Sequence, residues 1–149
     1  MVSKVLDMKS AIEIIKDRLY FVRLKNPPPV LPGAHFFSVD DVLLYEAFFN
    51  DFGPLHLGNT YRFCHAVFTK LQNFPDKRIY FFCGKKEEAV ANAAVLIGLF
   101  QVIYMGRTGT QAYVPLAAYV LEPYIPFRDA SVAACDFKVS VWFVDYIHV

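Results

Sequence analysis

The feature that most constrains the fold of this sequence is a short apolar run that precedes a long apolar segment. The run covers residues 79–83 (IYFFC), and the segment covers residues 89–105, where only Asn92 and Gln101 interrupt the apolar residues. A short run rich in aromatic and β-branched residues is typical of a buried strand, and a long apolar segment is typical of a buried helix. The sequence therefore predicts a buried strand, a polar loop and a buried helix in succession.

This succession has the layout of a cysteine-based phosphatase site, but the loop lacks the residues for that chemistry. Such a site needs a thiolate, backbone N–H groups at a helix N-terminus, and an arginine six residues on that holds two phosphate oxygens. The sixth residue after Cys83 is Ala89, and Glu87 and Glu88 lie where a phosphate would bind. We predict that the catalytic loop from Cys83 to Ala89 is degenerate, that Cys83 is a buried apolar residue, and that the two glutamates favour the start of the helix, with the binding of basic peptides as their alternative role.

The segment 106–109 (GRTG) resembles the arginine end of a phosphate loop, but the residue six before Arg107 is Gln101, not a cysteine. A structural interpretation fits better. Gly106 is predicted to end one helix in the left-handed conformation, and Thr108 is predicted to cap the next helix over residues 108–121. Pro115 is expected to bend or shorten that second helix.

Composition separates this chain from an average soluble domain. Hydrophobic residues make up 56% of it and charged residues 19%, whereas typical domains have about 45–50% and about 25%. The excess indicates either an apolar exposed surface or one face that is covered by another molecule or domain. The segment 89–105 is also near the lower limit of about 17 residues for a membrane-spanning helix, but its two polar residues and small residues favour a buried core helix.

Charge and cysteine content exclude several classes of function. The formal net charge is +1, which gives no electrostatic reason to expect binding to nucleic acid or to an anionic membrane. The three cysteines form no CxxC pair, and the four histidines have no ligand spacing, so we expect no disulfide framework, metal site or cofactor. The N-terminus lacks the apolar core of a signal peptide, which predicts an intracellular protein.

The remaining elements follow from apolar periodicity and turn residues. We predict a helical or irregular lead-in at 11–17, strands at 18–24 and 35–39, and a proline-rich exposed loop at 26–33. We also predict a helix starting at Asp40 and Asp41 that carries Leu43, Leu44 and Phe48, and a loop at 122–131. A further helix has an apolar stripe of Leu57, Tyr61, Cys64, Phe68 and Leu71. Residues 137–149 suit a strand or a helix. This order predicts one α/β domain, residues 1–149, with a small central sheet flanked by helices.

Four stretches of the chain form a pattern that is similar to one known family. They are IIKDRLYF at 14–21, DFGPL and YRFC within 51–64, ANAA, LIG and QVIY within 91–104, and PFRDAS at 126–131. In this order they resemble the N-terminal, non-catalytic domain of the cell-division-cycle-14 family of dual-specificity protein phosphatases. The match covers roughly residues 14–142.

The resemblance implies a function for the chain. In that family two phosphatase-like domains lie in tandem, and only the C-terminal one carries the catalytic residues. An acidic groove between them selects basic residues that follow a phosphoserine-proline site. The family acts in cell-cycle control, including mitotic exit, in the cytoplasm, nucleus and centrosome or spindle. The resemblance thus implies a non-catalytic substrate-specificity domain, here without the C-terminal catalytic domain. The alternatives are a stand-alone pseudophosphatase that binds a protein partner, and an active phosphatase.

The resemblance also implies partners and candidate site residues. The predicted partner is a phosphoprotein substrate or a catalytic phosphatase domain. Asp129 and Asp17 lie in matched stretches and are the candidate substrate-binding residues of the acidic groove. The alternative role is a loop cap for Asp129 and a surface salt bridge, which we favour, for Asp17. Arg128 is predicted to pair with a carboxylate and fix its loop rather than to bind phosphate.

Overall fold

The computed structural model describes residues 10–118, 124–135 and 138–142. The strands of the main sheet are β1 (Ile12–Ile15), β2 (Leu19–Arg23), β3 (Ala34–Phe37) and β4 (Arg78–Cys83). Their order is β1-β2-β4-β3, with β2, β4 and β3 parallel and β1 antiparallel to β2. The helices are α1 (Leu57–Asn73), α2 (Glu87–Met105) and α3 (Gly109–Ala118), and β5 (Phe127–Arg128) pairs with β6 (Lys138–Val139). The predicted α/β fold with a small central sheet is confirmed.

Phe81, in the central strand β4, is the centre of the hydrophobic core. Its ring stacks on Phe21 of β2 and Phe37 of β3, with ring centroids 5.4 and 5.3 Å away. The ring of Phe63 in α1 packs against the ring of Phe81, with the two ring centroids 4.7 Å apart. The apolar side chains of α2 and α3 join the same cluster, so all three helices contribute to the core on this face of the sheet.

The opposite face of the sheet carries a second row of aromatic rings. Tyr80 of β4 stacks between Tyr20 and Phe36, with ring centroids 4.9 and 4.8 Å away. The three residues are in register across the parallel strands, which places side chains of one row directly beside each other. Because side chains alternate along a strand, the aromatic residues of 79–83 are shared between both faces of the sheet.

The prediction of a helical or irregular lead-in at 11–17 was wrong, because β1 is a strand. Ile12 and Ile14 are buried and Glu13 between them is exposed, which is the alternation of a strand with one face on the core. The strand turns back into β2 through Asp17, whose φ of 57° lies in the left-handed region. Aspartate is one of the few residues that tolerate this conformation.

The helix predicted to start at Asp40 and Asp41 does not form. A single turn is present, in which the N–H of Leu43 donates to the carbonyl of Val39 at 2.8 Å, and the chain then continues without a helix. Only Leu43 is buried, whereas Leu44 and Phe48 are exposed. A helix here would have had to bury all three residues, and the core accepts only one.

The helix α1 was predicted correctly, but its buried face was not. Leu57, Tyr61 and Phe68 of the predicted stripe are 71%, 65% and 44% exposed, while Phe63 and Val67 are fully buried. The two stripes lie side by side on the helix and share Cys64. The ring of Phe63 reaches Phe81, so packing on the sheet decides which stripe is buried. The other stripe remains an exposed apolar surface.

The helices α2 and α3 follow their sequence signals. α2 is by length and composition long and apolar enough to cross a membrane, but 67% of this stretch is buried within the domain, in agreement with the predicted core helix. It ends at Gly106 with φ 66°, the predicted left-handed cap. Thr108 and Gln111 then exchange hydrogen bonds between side chain and backbone at 3.1 and 2.9 Å, which is a capping box at the start of α3.

Two predictions fall partly outside the described residues. The helix predicted for 108–121 is described as far as Ala118, with Pro115 inside it. The segment predicted as strand or helix at 137–149 contains the short strand β6, and its residues from Phe143 onward lie outside the described part of the chain.

Candidate functional site

The candidate site lies where β4 ends and α2 begins, at the loop predicted to be degenerate. Cys83 is completely buried, and burial raises the pKa of its thiol to about 12, with a further contribution from the nearby carboxylate of Asp40. A thiol with this pKa is protonated near neutral pH and is a poor nucleophile. Ala89 stands where an arginine would bind phosphate. Cys83 is therefore a buried core residue, as predicted.

A carboxylate of the chain itself occupies this loop. The backbone N–H of Gly84, the residue after Cys83, donates to Asp40 Oδ2 at 2.7 Å. In a phosphate-binding loop such N–H groups point at the anion. Here an internal anion has taken one of them, so a phosphate would have to compete with Asp40 and meet its negative charge.

Glu87 and Glu88 form the first turn of α2 and are both exposed. Their predicted position at the start of the helix is confirmed, and carboxylates at the positive end of a helix dipole are generally stabilising. Glu88 also faces a cavity beside the loop.

This cavity, the acidic cleft, has a volume of about 680 Å³. The residues of its lining that matter for recognition are the acidic Asp40, Asp41, Asp51 and Glu88, the basic Lys86 and Arg128, the aromatic Tyr45, Phe49 and Phe52, and the polar Asn92. Carboxylates outnumber cations, and aromatic rings supply apolar contact area. The lining favours a ligand that combines positive charge with an apolar stem.

Asn92 projects from α2 into the acidic cleft and has an unsatisfied polar atom. Its side chain is only 9% exposed, and its Oδ1 has no hydrogen-bond partner among the described residues. A buried oxygen without a partner costs about 1–3 kcal/mol. The oxygen itself is shielded from solvent, so a ligand that donates an N–H could offset this cost only after a rotation of the Asn92 side chain turns the oxygen towards the cleft.

The wall opposite Asn92 is fixed by Asp51. The hydroxyl of Tyr45 and the backbone N–H of Phe49 both donate to its carboxylate. The bond from Tyr45, followed by that from Phe49, lowers the pKa of Asp51 to about 2. Asp51 thus keeps its negative charge throughout the ordinary pH range, and the aromatic wall of the cleft stays in place.

Among the described residues, Arg128 fixes its loop through carbonyl groups, and it forms no ion pair there with a carboxylate, the partner that we predicted. Its side chain donates to the backbone carbonyls of Asp129 and Ser131 at 3.4 and 3.1 Å. Its backbone pairs with Phe52 in both directions. Asp129 accepts the N–H of Ser131 at 3.1 Å, which is the loop cap that was its alternative role. Arg128 lines the acidic cleft, whereas Asp129 does not.

Asp17 lies at the other end of the sheet from the acidic cleft. It belongs to the turn between β1 and β2, and its carboxylate forms an exposed salt bridge with Arg78 at 3.2 Å. This is the role that we favoured for it. The structure therefore does not bring Asp17 and the acidic cleft together, and a substrate-binding role for Asp17 or Asp129 stays a prediction.

The arginine of the second loop is also engaged inside the protein. Arg107 donates to Oε1 of Gln101 at 2.7 Å, and Gln101 is completely buried. The guanidinium of Arg107 is therefore held by α2 and is not placed at the end of β4, in agreement with the sequence interpretation.

Sequence reasoning missed Asp40 and Asn92 as residues of the candidate site. Asp40 was interpreted as a helix cap and Asn92 as an interruption of an apolar segment. One signal was available for Asn92, because a lone polar residue in an otherwise buried helix needs a partner. No group of metal-ligating side chains lies within residues 10–118, 124–135 and 138–142.

The parallel sheet, the strand–loop–helix unit at its carboxyl end and the loop between Cys83 and Ala89 define a phosphatase-like domain with a degenerate catalytic loop. The chain belongs to the family described as dual specificity protein phosphatase, N-terminal half. The model of this family matches residues 13–145. The match includes the stretch of residues 14–142 on which the resemblance was recognised.

Curated relatives agree with this family. The chain is similar to dual specificity protein phosphatase CDC14AB of Danio rerio, with 42% identity over 91% of the chain and 22% of the relative. It is 40% identical to human CDC14A over 91% of the chain and 23% of the relative. The tyrosine-protein phosphatase CDC14 of Saccharomyces cerevisiae is 31% identical over 93% of the chain and 25% of the relative. The chain thus spans about a quarter of the length of these proteins.

Three of the four stretches that resemble the family meet at the acidic cleft. Asp51 and Phe52 come from the second stretch, Asn92 from the third, and Pro126 and Arg128 from the fourth. These stretches are far apart in sequence, and folding brings them to one surface beside the loop of Cys83. The stretches that resemble the family therefore contribute residues mainly to this cleft and not to the loop after Cys83.

Proposed function

We propose that this chain is a non-catalytic recognition domain of a dual specificity protein phosphatase, and that its acidic cleft binds a basic segment of a phosphoprotein substrate. The observation that carries the proposal is the loop after Cys83, where Asp40 takes the N–H of Gly84 beside a cavity with the unsatisfied oxygen of Asn92. An internal anion takes one N–H of the loop and would repel a phosphate there, while the cleft next to it carries carboxylates that attract a cation.

The chemistry of the cleft supports a lysine or arginine side chain as the group that enters it. Such a side chain has N–H donors for Asn92 Oδ1 and positive charge for Asp41 and Glu88. Its aliphatic stem can pack on the aromatic wall of Tyr45 and Phe52. An acidic ligand would meet the same carboxylates with repulsion.

The wider biological setting is part of this proposal. The names of the relatives describe protein phosphatases, and a role in cell-cycle control in the cytoplasm or nucleus is what this resemblance supports. A catalytic phosphatase domain is the second proposed partner. The exposed apolar stripe of α1, with Leu57, Tyr61 and Phe68, supports this partner, because such a surface is suited to contact with another domain.

The proposal predicts that the purified chain does not hydrolyse aryl phosphates. Because the pKa of Cys83 is raised to about 12, the thiolate is absent near neutral pH, and no arginine stands at position 89 to bind phosphate. Hydrolysis of p-nitrophenyl phosphate is measured for the chain and for Cys83→Ser, and both are expected at background level. Turnover that is lost in Cys83→Ser would contradict the proposal.

A binding experiment tests the role of Asn92. A fluorescently labelled oligo-arginine peptide is titrated against the chain and against Asn92→Leu, and the variant is expected to bind at least about tenfold more weakly. The same variant is expected to unfold at a higher urea concentration, because leucine removes an unsatisfied buried oxygen worth about 1–3 kcal/mol. Weaker binding together with higher stability distinguishes a recognition role from damage to the fold.

Asn73→Leu is the matched control, since Asn73 is exposed on α1 and lies outside the lining of the acidic cleft. It should leave peptide affinity unchanged. An oligo-glutamate peptide of equal length should not bind either protein. Equal affinity of Asn92→Leu and the unchanged chain for oligo-arginine would refute the recognition role of the cleft, whatever the phosphatase assay gives.

A further inference from the structure

The connection between β2 and β3 contains a proline-rich segment that the proposed function does not use. This proline loop comprises residues 25–32, with the sequence KNPPPVLP. It contains Pro29 and Pro32 in a PxxP arrangement, and both are exposed. Val30 between them is 100% exposed and Leu31 is 38% exposed. An apolar segment so open to solvent on a small domain requires an explanation.

The topology of the sheet excludes a helical connection here and is compatible with an extended one. β2 ends at Arg23 beside Cys83, and β3 begins at Ala34 beside Arg78. The connection must therefore return along β4 and cross from one side of it to the other, a distance of about 20 Å by standard strand rise and spacing. The ten residues of the connection span only about 15 Å as a helix, whereas they span about 31 Å in polyproline II conformation.

The contacts at the two ends of the loop are defined. Because β2 and β3 lie on opposite sides of β4, the loop has to pass from one side of β4 to the other. Leu31, Pro32 and Gly33 line a cavity together with Tyr80 of β4. Two backbone hydrogen bonds anchor the ends, from Leu24 N–H to the Cys83 carbonyl at 2.9 Å and from Arg78 N–H to the Gly33 carbonyl at 2.9 Å.

Between these anchors the backbone is available for recognition. Among the described residues, no backbone hydrogen bond involves residues 25–30. The loop closes with a turn in which the N–H of Ala34 donates to the carbonyl of Leu31 at 3.3 Å. Pro32 and Gly33, with φ 77° at the glycine, occupy the two central positions as in a type II turn, where the first position has nearly polyproline II dihedral angles. Pro32 therefore continues the extended conformation.

We propose that the proline loop is a ligand for an SH3-type domain, that is, for an aromatic-lined groove which recognises a polyproline II helix with PxxP spacing. Three residues complete one turn of this helix, so Pro29 and Pro32 lie on the same edge and can enter adjacent pockets between aromatic side chains. The loop is anchored at both ends, so little conformational entropy is lost on binding. Exposed Lys25 at its amino end would be attracted to an acidic rim of such a groove.

The test is a titration of the intact, isotope-labelled chain with a panel of purified SH3 domains. Binding is expected to shift the amide resonances of Val30 and Leu31, and to become at least about tenfold weaker in the double variant Pro29→Ala/Pro32→Ala. Pro27→Ala is the matched control, because it removes one exposed proline of the same loop from a different edge of the helix. Its affinity should change about twofold or less.

The urea unfolding midpoint of each variant shows whether the fold is retained, and only a small decrease is expected, because alanine leaves the unfolded chain more conformational freedom than proline does. Three results would overturn the proposal. They are the absence of binding to every SH3 domain at concentrations up to about 1 mM, resonance shifts confined to residues outside the loop, and equal affinity of the double variant and the unchanged chain.

Discussion

Substitution of Phe81 by alanine is expected to lower the free energy of unfolding by about 3–5 kcal/mol, the range for buried Phe→Ala changes. Phe81 is completely buried and packs on Phe21, Phe37 and Phe63 at ring-centroid distances between 4.7 and 5.4 Å. Its removal would leave a cavity bounded by β2, β3 and α1 at once. None of these elements can move inwards without losing its own contacts, so the cavity cannot collapse.

The total stability of a domain is about 5–15 kcal/mol, so this single change would bring the chain close to unfolding. The measurement is urea denaturation followed by circular dichroism. Phe48→Ala is the control, since Phe48 is 91% exposed and its removal should change the stability by no more than about 0.5 kcal/mol. A loss below about 1 kcal/mol for Phe81→Ala would mean that β4 is not the centre of the core.

The position of Phe81 illustrates what the sequence reveals of the fold. The apolar run of β4 and the long apolar segment of α2 are strong signals because nearly all of their residues are apolar. Gly106 and Thr108 act through local backbone chemistry, and their roles as caps could be predicted from neighbouring residues alone. The choice between two apolar stripes on α1 could not be predicted, because it depends on where Phe63 meets Phe81 in space.

The error at Asp40 has the same cause. An aspartate before an apolar stretch is a good helix cap by local criteria, yet its carboxylate accepts the N–H of Gly84, which is 44 residues away in sequence. The helix that it would have started is replaced by a single turn, and Leu43 alone reaches the core. A contact between distant residues thus outweighed a local preference for helix.

The candidate site also has one part that local sequence could predict and one part that it could not. The degenerate loop was predictable because a phosphatase loop has a fixed spacing between cysteine and arginine, and Ala89 breaks it. The acidic cleft was not predictable, because its residues come from separate stretches and acquire a common role only in the folded chain. The apolar setting of Asn92 in sequence indicated that its amide needs a partner, but not that the residue lines a cavity.

Substitution of Arg18 by methionine is expected to lower the free energy of unfolding by about 2 kcal/mol, the size of hydrogen bonds that involve a charged group. Arg18 lies just before β2, and its guanidinium donates to the carbonyls of Leu71 and Phe74 at 2.7 and 2.9 Å and to that of Lys77. These carbonyls lie at and after the C-terminal end of α1, where the helix dipole is negative and where the last carbonyls have no partner within the helix.

Methionine keeps most of the aliphatic stem of Arg18, so the loss reports mainly on the hydrogen bonds and the charge. Urea denaturation gives the stability, and amide hydrogen exchange should show faster exchange at the end of α1 than at its start. Arg62→Met is the matched control, because Arg62 is exposed on the same helix and its replacement should be nearly neutral. Since one side chain joins the end of α1 to the start of β2, equal stability of the two variants would show that this connection does not hold the helix on the sheet.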